Sequence, residues 1–579
     1  MSNQLPLNTT WFPATVLAVL TLIVAAPLFS CNWFAPHEGS YPLQRIVTLA
    51  EEIRRGDLYP RWLSLTYLGK GSPFFNFYSP AAYLFPAYWV AAGLPLLYAV
   101  RLSILLVFFG GAWGMYLWSR HHFENFGGLL SAILYLFAPY HFVDIYVRGA
   151  FAEFAALAFL PYLFLSIDLN IDRPKNFAGV VLTGISAAAI LLTHNLSALM
   201  IMPMAIAYAL LRLFKLGNRG VRISRLLLGG FIGLGLSSFY WLPCLMEAQY
   251  LHDFTSHMTT GYNAFQMHFV EPVQWFSTFW GFGASLGPGI PDGMSFQLGL
   301  VLLGGVLLAL VTIVMPTSNP RRGLVGILLL CGGMSLLMTS APSAFIYRHV
   351  KIFALVQFPW RYLGPATLFF AAGCGVIAVN PLIRRLHLPV LVGLVVASLY
   401  FSNNQRAVSQ PNTSDISAET HRLIDSQRVG SLCNIDEYLP ATAPLNSRGL
   451  RAEGSTPYAP TGEITQLTVN GSNMRFILTG REEENPVIIP WYNFPGWEAT
   501  LDDQAMAVGT ITEGMLLVSA PQGRHEINIR FGTTGPRFFG WLITFLTLIG
   551  IAAVWSARSG TLRLYWRRLN PVAPTNRNG

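Results

Sequence analysis

The densest group of residues that could do chemistry lies within the first hundred residues. His37-Glu38-Gly39 is followed, after a short gap, by Gly56-Asp57-Leu58-Tyr59-Pro60-Arg61-Trp62. A carboxylate such as that of Glu38 can take a proton from a hydroxyl group when its pKa lies near the working pH. Asp57 and Arg61 add a second acid and a guanidinium to the same segment. The alternative interpretation of Glu38 is an ordinary solvated loop acid.

The rest of the chain is too apolar to form a water-soluble protein. Of its 579 residues, 53% are hydrophobic and only 11% are charged, whereas soluble domains carry about 25% charged residues. The mean hydropathy is +0.46. The apolar residues come in blocks of about the length that crosses a bilayer, where each backbone amide must bond within its own helix. We therefore expect an integral membrane protein, mainly α-helical.

About twelve membrane spans are predicted from the apolar blocks. A further apolar segment, 80–97, is broken by prolines and a glycine and is predicted to be interfacial or re-entrant. The predicted spans are 11–30, 98–119, 127–146, 153–170, 176–194, 196–213, 226–246, 296–315, 324–341, 363–380, 388–402 and 537–556.

The charge distribution indicates orientation rather than nucleic-acid binding. The net charge is +9, but the Lys and Arg residues gather in short loops, as in 173–175, 215–225, 321–322, 384–385 and 563–568. This is the positive-inside pattern, not a nucleic-acid footprint. It predicts a multi-pass plasma-membrane protein with a cytoplasmic N-terminus and no nucleic-acid partner.

The predicted domains follow from these spans. Residues 1–402 form a multispanning domain with outer loops 31–97 and 247–295, residues 403–536 form an extracytoplasmic β-rich domain, and residues 537–579 form a last helix with a basic cytoplasmic tail. Period-two alternation and turn signals predict a small β-sandwich. Its expected strand segments are 466–478, 487–489, 497–501, 514–519 and 525–531, with turn signals such as Asn470-Gly471, Pro495-Gly496 and Gln522-Gly523.

The cysteines and the second outer loop give little sign of a metal site. The five cysteines show no CxxC spacing, so neither a zinc site nor a disulfide scaffold is implied. The loop 247–295 carries acids and histidines without a recognised ligand spacing, and they could close over a substrate as a lid. These are His252, Asp253, His257, His268, Glu271 and Asp292.

The order of the short motifs resembles a known superfamily. His-Glu-Gly at 37–39 and Gly-Asp-Leu-Tyr-Pro-Arg-Trp at 56–62 look like the first outer loop of the GT-C glycosyltransferases, which use polyprenyl-phosphate sugars. The resemblance is closest to the membrane family labelled "6-pyruvoyl-tetrahydropterin synthase-related", a label that is no evidence of pterin chemistry. Further matching stretches are Gly69-Lys70-Gly71-Ser72-Pro73, Phe77-Tyr78-Ser79-Pro80, Tyr146-Val147-Arg148-Gly149-Ala150-Phe151-Ala152-Glu153 and Gln357-Phe358-Pro359-Trp360-Arg361.

The resemblance implies roles for individual residues. In GT-C enzymes the first outer loop supplies an essential acid, most often Asp, and Glu38 stands at the matching place here. A second acid comes from the next outer loop, where Glu153 follows Arg148. The alternative for this pair is an ion pair that joins two helix ends. Arg361 is expected to contact the phosphate, because a guanidinium donates two parallel hydrogen bonds; its alternative is an interfacial anchor beside aromatic residues.

The candidate site is completed by side chains at the outer ends of spans. His194 could face the same cavity, or it could be a hydrogen-bonded structural histidine. Some GT-C relatives use a divalent cation at the acidic loop, so Mg or Mn is possible, although no Asp-x-Asp motif is present. The candidate catalytic residues are Glu38, Asp57 and Glu153, and the candidate substrate-binding residues are His37, Arg61, Arg148, His194 and Arg361.

The predicted function is a membrane glycosyltransferase, with two alternatives left open. The enzyme would move a sugar from a polyprenyl-phosphate donor to a glycan, lipid or protein acceptor at the outer face. A transporter or flippase of a lipid-linked glycan would place charges in span centres and show broken, repeated helices. The third hypothesis is a non-catalytic scaffold that binds glycan. The span centres are nearly free of charge, which favours the transferase over the transporter.

Overall fold

The computed structural model describes most of the chain. The described residues are 11–30, 32–214, 216–252, 259–315, 321–409, 418, 438–444 and 456–569, with the backbone alone described for 558–569. Cys31, Cys433, Asp253 and His257 lie outside this part of the chain.

Helices make up most of the described chain. The longer ones are α1 (Trp11–Ala25), α2 (Tyr41–Arg54), α3 (Ala81–Ala91), α4 (Leu96–Leu136), α5 (Phe151–Asp172), α6 (Phe177–Thr193), α7 (Asn195–Leu213), α8 (Arg219–Leu236), α9 (Ser238–Glu247), α10 (Leu300–Val314), α11 (Arg322–Thr339), α12 (Leu363–Cys374), α13 (His387–Phe401) and α14 (Gly535–Leu569). Short helical turns are Ala26–Phe29, Thr66–Gly69, Phe74–Phe77, Pro139–Phe142, Val143–Arg148, Ala248–Tyr250, Gly261–Asn263, Phe265–Met267, Pro272–Phe276, Ala341–Ser343, Ala344–His349, Lys351–Val356, Pro359–Tyr362, Gly375–Val379 and Pro381–Arg385.

Within the described residues, seven helices are long and apolar enough to cross a membrane, or eight if the bent pair α8 and α9 is one span. The three helices α6, α10 and α13 are apolar but shorter. Two predicted spans, 98–119 and 127–146, fall largely on the single 41-residue element α4, whose backbone is non-helical at Phe123 and Glu124. The count of twelve spans stays a prediction.

The segment 80–97 contains the 11-residue helix α3, which is too short to cross a bilayer alone.

Two helices form the centre of the bundle. The apolar window of Phe151–Asp172 is 78% buried and that of Pro359–Val379 is 94% buried, whereas that of Gly535–Ala557 is only 11% buried. A helix buried on all sides packs against protein, and a helix exposed on most sides presents its apolar residues to lipid. The groups carried by α5 and by Pro359–Val379 are therefore held most firmly.

The C-terminal strands form two antiparallel sheets. The strands are β1 (Gly462–Asn470), β2 (Asn473–Gly480), β3 (Asn485–Tyr492), β4 (Trp497–Leu501), β5 (Gln504–Met506), β6 (Gly509–Thr510), β7 (Met515–Ala520) and β8 (Gly523–Phe531). One sheet has the order β1-β2-β8-β4-β5 and the other β3-β7-β6. The rings of Trp491 and Trp497 stack across the two sheets with centroids 4.8 Å apart. The description as a β-sandwich stays a prediction.

The first predicted strand segment is divided by a turn. The segment 466–478, in which Asn470-Gly471 is a turn signal, is a hairpin of β1 and β2, with Asn470 paired to Asn473. The Asn470-Gly471 pair at its middle is a strong hairpin signal, since glycine accepts a positive φ, and Gly471 has φ +58°. The expected strands 487–489, 497–501, 514–519 and 525–531 fall on β3, β4, β7 and β8.

A buried ion pair joins the last helix to the rest of the bundle. Arg537 near the start of α14 donates from Nη2 to Glu247 Oε2 at 3.0 Å, and both side chains are 2% exposed. Asn76 Nδ2 donates to the same carboxylate oxygen at 2.7 Å. Arg61 Nη1 in turn donates to Asn76 Oδ1 at 2.9 Å. The first loop, α9 and α14 therefore meet in one polar network.

We expect the Arg537→Met variant to be strongly destabilised. Removing one partner of a buried pair leaves an uncompensated charge and costs about 3–5 kcal/mol. The measurement is the midpoint of thermal unfolding in detergent. Arg475→Met, which breaks the exposed pair of Arg475 and Glu526, is the control and should change the midpoint little. Equal midpoints for the two variants would contradict the structural role of Arg537.

Candidate functional site

A cavity of about 530 Å³ lies at the end of the bundle where α5 and the Pro359–Val379 helix begin. Five of the candidate residues line it: His37, Glu38, Arg148, His194 and Arg361. They come from four separate parts of the sequence, so the fold rather than sequence proximity brings them together. Arg45, on α2, lines the same cavity.

The first loop reaches the cavity through backbone contacts. His37 N donates to Val147 O at 2.9 Å, and Glu38 N donates to Arg148 O at 3.0 Å. Gly149 permits this approach because its φ is +71° and a Cβ there would lie 2.9 Å from Pro36. Most other residues would be strained in that conformation. The carboxylate of Glu38 is thus carried to the segment that holds Arg148.

Arg45 holds the Glu38 carboxylate. Its Nη1 lies 2.7 Å from Glu38 Oε2, and the Glu38 side chain keeps 27% of its surface exposed. The same nitrogen donates to Tyr83 Oη at 2.8 Å, and the guanidinium lies 4.9 Å from the ring centre of Tyr78. A charge-assisted hydrogen bond of this kind orients the carboxylate. Glu38 is therefore a held, accessible acid at the cavity wall.

Glu153 lies behind the cavity wall in an ion-pair cluster. Its Oε2 is 2.9 Å from Arg148 Nη1 and 3.2 Å from Arg361 Nε, and its Oε1 accepts from Tyr140 Oη at 2.5 Å. Arg148 also pairs with Asp144. The Glu153 side chain is 1% exposed. This geometry matches the alternative interpretation of Glu153, an ion pair that joins helix ends.

Aromatic rings also hold Arg148 and Arg361. The Arg148 guanidinium lies 4.5 Å from the ring centre of Trp360. The Arg361 guanidinium lies 4.9 Å from that of Phe358, and its Nη1 donates to Val356 O at 2.9 Å. Stacking on rings and bonding to a carboxylate both limit the freedom of a guanidinium. The positive groups at the cavity are therefore fixed in place before any ligand arrives.

His194 serves as the cap of helix α7. Its Nδ1 accepts from Ser197 N at 3.2 Å and lies 2.8 Å from Ser197 Oγ. A ring nitrogen that accepts a backbone N–H is unprotonated, so the other nitrogen carries the proton of a neutral ring. His194 thus has a structural role while it also lines the cavity.

Asp57 and Arg61 do not line this cavity. Glu38 precedes helix α2 and Asp57 follows it, and 14 helical residues separate two points by about 21 Å. Asp57 accepts a hydrogen bond from Tyr59 N in a turn at 3.0 Å. Arg61 is buried and donates to Asn76 and to the backbone oxygen of Phe239. Closeness in sequence to Glu38 was a misleading signal for both residues.

Two members of the ion-pair cluster, Tyr140 and Asp144, were not among the predicted residues. Asp144 falls within the predicted span 127–146, and an acid inside a span indicates a functional or structural cluster by default. That signal was present in the sequence. Tyr140 gave no such sequence signal, because a tyrosine near the end of a span is typical of the membrane interface.

The second outer loop contributes Tyr262 and Ser285 to the cavity wall, and His268 contacts both of them. The His268 ring lies 2.8 Å from Ser285 Oγ through Nδ1 and 2.5 Å from Tyr262 O through Nε2. Ser285 and Tyr262 both line the cavity. Burial lowers the pKa of His268, which favours the neutral ring, and Nε2 then carries the proton that Tyr262 O accepts. The proposed lid function of this loop stays a prediction.

A divalent cation at this cavity also stays a prediction. In the described part of the chain, no group of three His, Cys, Asp or Glu side chains with metal-binding proximity lies at the cavity. Glu271 is used in a capping box with Gln274. Asp292 accepts from Gln274 Nε2 and from Leu286 N.

The chain belongs to the membrane-protein family described as "6-pyruvoyl-tetrahydropterin synthase related domain", because the sequence model of that family matches residues 75–406, more than half of the chain. The predicted family membership is confirmed. An uncharacterized protein of Lactococcus lactis subsp. cremoris (strain MG1363) is 22% identical over 244 residues. The match covers 40% of this chain and 39% of that relative, well under two thirds of its length.

Two solved structures are similar at a low level. The arabinofuranosyltransferase AftD from Mycobacteria has 14% identity and a TM-score of 0.43, and the match covers 68% of this chain and 27% of AftD. The oligosaccharyltransferase AglB from Archaeoglobus fulgidus, solved with an inhibitory peptide and a dolichol-phosphate, has 12% identity and a TM-score of 0.36, and the match covers 69% and 56%. TM-scores below 0.5 do not establish a shared fold.

We expect Glu153→Gln to unfold at a lower temperature than Glu38→Gln. Loss of the Glu153 charge leaves Arg148 and Arg361 buried with Asp144 alone, at a cost of about 3–5 kcal/mol. Glu38 is partly exposed, and Arg45 keeps its bond to Tyr83 in the Glu38 variant. The measurement is the thermal midpoint of each variant against the wild type. A wild-type midpoint for Glu153→Gln would contradict the structural role.

We also expect His268 to make the protein less stable as the pH falls. Its pKa in the folded protein lies below the unfolded value of about 6.5, so below that pH the unfolded chain binds a proton that the folded chain does not. Stability is therefore fully present above pH 6.5 and is lost as the pH falls toward the lowered pKa. The wild-type midpoint should drop more between pH 7.5 and 5.5 than that of His268→Gln. Parallel curves would contradict the role of His268.

Proposed function

We propose that the protein is a glycosyltransferase that moves a sugar from a polyprenyl-phosphate donor to an acceptor hydroxyl at the outer face of the membrane. The observation that carries the proposal is a single cavity with a held, accessible carboxylate, Glu38, and two fixed guanidiniums, Arg148 and Arg361. An acid and a pair of arginines are the groups that this reaction needs. The sequence resemblance to the first outer loop of GT-C enzymes adds to the proposal.

Glu38 is the proposed base. It takes the proton from the acceptor hydroxyl as the oxygen forms a bond to the anomeric carbon, while the bond from that carbon to the phosphate oxygen breaks. The bonding pair leaves with the polyprenyl phosphate. Arg45 orients the carboxylate, because it holds one oxygen, Oε2, at 2.7 Å. Such a step depends on positioning and on charge stabilisation.

Arg148 and Arg361 are the proposed phosphate contacts. Arg148 makes both of its ion pairs through Nη1, which leaves its Nε and Nη2 donors outside those pairs. A guanidinium has five N–H donors, so one arginine can bond a carboxylate behind the wall and a phosphate in front of it. The positive groups would stabilise the charge that develops on the leaving phosphate. His37 and His194 then line the space for the sugar.

An apolar groove beside the cavity suits the lipid tail of the donor. This groove, of about 290 Å³, is lined by Leu58, Tyr59, Leu84, Leu192, Trp541 and neighbouring residues. Ser79 lines the cavity and the next residue, Pro80, lines the groove, so the two spaces adjoin at this point of the chain. An isoprenoid chain would bury apolar surface there.

The remaining parts of the proposal follow from the sequence. The cavity end of the bundle faces out of the cell across the plasma membrane, in keeping with the positive-inside pattern. The acceptor is a glycan, a lipid or a protein, and Mg or Mn would assist if a metal is used. The β-rich domain at 403–536 then lies on the same side as the cavity.

We expect Glu38→Gln to lose sugar transfer while it stays folded. Removal of a general base lowers the rate by about 10²- to 10⁴-fold. Purified protein in lipid would be given radiolabelled polyprenyl-phosphate sugars, and donor turnover would be measured. Glu51→Gln is a matched control, because Glu51 lies on α2, pairs with Arg54 and does not line the cavity; its turnover should equal that of the wild type.

The outcomes separate the proposal from its alternatives. Turnover that survives in Glu38→Gln would move the base to another residue. No turnover with any donor would contradict the transferase and favour a flippase or a glycan-binding scaffold. Lipid flipping in proteoliposomes, or retention of glycan without flipping, would then distinguish those two.

A further inference from the structure

A second polar cluster lies at the other end of helix α5 from Glu153. Asp168 and Asp172 stand in the last two turns of α5, and the helix of 22 residues is about 33 Å long. His121 and His122 of α4 and Arg212 of α7 complete the cluster. The proposed sugar-transfer site uses none of these residues.

The two histidines and Asp172 have the composition and proximity of a metal site. One nitrogen of each ring and one oxygen of Asp172 all lie within 4.8 Å of one another. His121 Nε2 is 2.9 Å from Asp172 Oδ2. In a tetrahedral site with bonds of about 2.0–2.1 Å, ligand atoms stand about 3.4 Å apart. The Asp172 side chain is 35% exposed, so it can rotate and bring its oxygen to the separation that a tetrahedral site requires.

Supporting hydrogen bonds already fix the second histidine. His122 Nε2 lies 2.7 Å from Asp168 Oδ2, and Asp168 is fully buried. The same carboxylate accepts from Trp118 Nε1 at 2.8 Å, and from Tyr208 Oη at 2.8 Å. A metal-binding histidine almost always donates its other N–H to a carboxylate or carbonyl in this way.

The cluster contains two carboxylates and one arginine. Arg212 lies 2.9 Å from Asp168 and 3.0 Å from Asp172, so it offsets one of their two negative charges.

We propose that His121, His122 and Asp172 bind a divalent late transition-metal ion of the Zn²⁺ type. Imidazole and carboxylate ligands suit such ions, and three protein ligands leave one position for water. The ion would join the end of α5 to α4 immediately before the break in α4 at Phe123 and Glu124. It would therefore tie two helices together at a point where one of them changes direction.

Metal titration of the full-length protein tests this site. The protein would be purified without a polyhistidine tag, treated with EDTA and titrated with ZnCl₂ in detergent. We expect one Zn²⁺ per chain by calorimetry and metal analysis, and a higher thermal midpoint with Zn²⁺ than with EDTA. Affinity should fall on acidification, since the ligands must be deprotonated.

Three variants locate the site. His121→Asn and the more conservative Asp172→Asn should each weaken Zn²⁺ binding by at least about tenfold and remove the Zn²⁺-dependent rise in midpoint. His349→Asn, which changes an exposed histidine outside the cluster, should bind like the wild type. A wild type that binds no Zn²⁺, or equal binding in all three variants, would overturn the proposal and leave the cluster as ion pairs. Neither readout depends on sugar transfer.

Discussion

The constraint on which the rest of the structure depends is the burial of Glu153. It stands in the first turn of α5 and forms an ion pair with Arg361 at the start of the other central helix, so one carboxylate ties together the two most buried helices. A charge in so apolar a place must be compensated, because an unpaired buried ion costs several kcal/mol. Arg148 and the hydroxyl group of Tyr140 supply the rest of the compensation, while Asp144 pairs with Arg148. Arg148 and Arg361 of this cluster line the cavity.

The chain path around the cluster explains why the acid and the arginines share one cavity. The turn Val143–Arg148 is wound more loosely than an α-helix, and Gly149 then reverses the chain so that α5 can begin two residues later. The same reversal leaves the oxygens of Val147 and Arg148 free to accept from the first loop. Glu38 is therefore placed by backbone bonds to the segment that carries Arg148, rather than by its own side chain. Its position follows from the pairing of Arg148 with Glu153.

The sequence predicted the parts of this arrangement that depend on composition and on local motifs. Apolar blocks indicated the membrane, and the loop motifs indicated the family; five candidate residues, His37, Glu38, Arg148, His194 and Arg361, line one cavity. The sequence could not show that α2 carries Asp57 and Arg61 away from Glu38. The direction in which a helix runs within the fold cannot be deduced from its own residues. Nor could the sequence show that α4 runs through two predicted spans. That feature depends on tertiary packing, which local patterns do not encode.

The two ends of α5 show how a membrane helix can carry charge without placing it in the bilayer centre. Glu153 lies at one end and Asp168 with Asp172 at the other, while the residues between them are apolar apart from the hydroxyl groups of Tyr162 and Ser166. Each acid bonds to a neighbouring helix or to the segment before α5, so α5 is held at both ends. A central helix that is fixed in this way resists the rocking that alternating access requires. A helix fixed at both ends also suits a site whose charged groups must be preorganised before the substrate binds. The charge pattern of α5 thus favours a stationary site at the membrane surface over a transport path through the bundle.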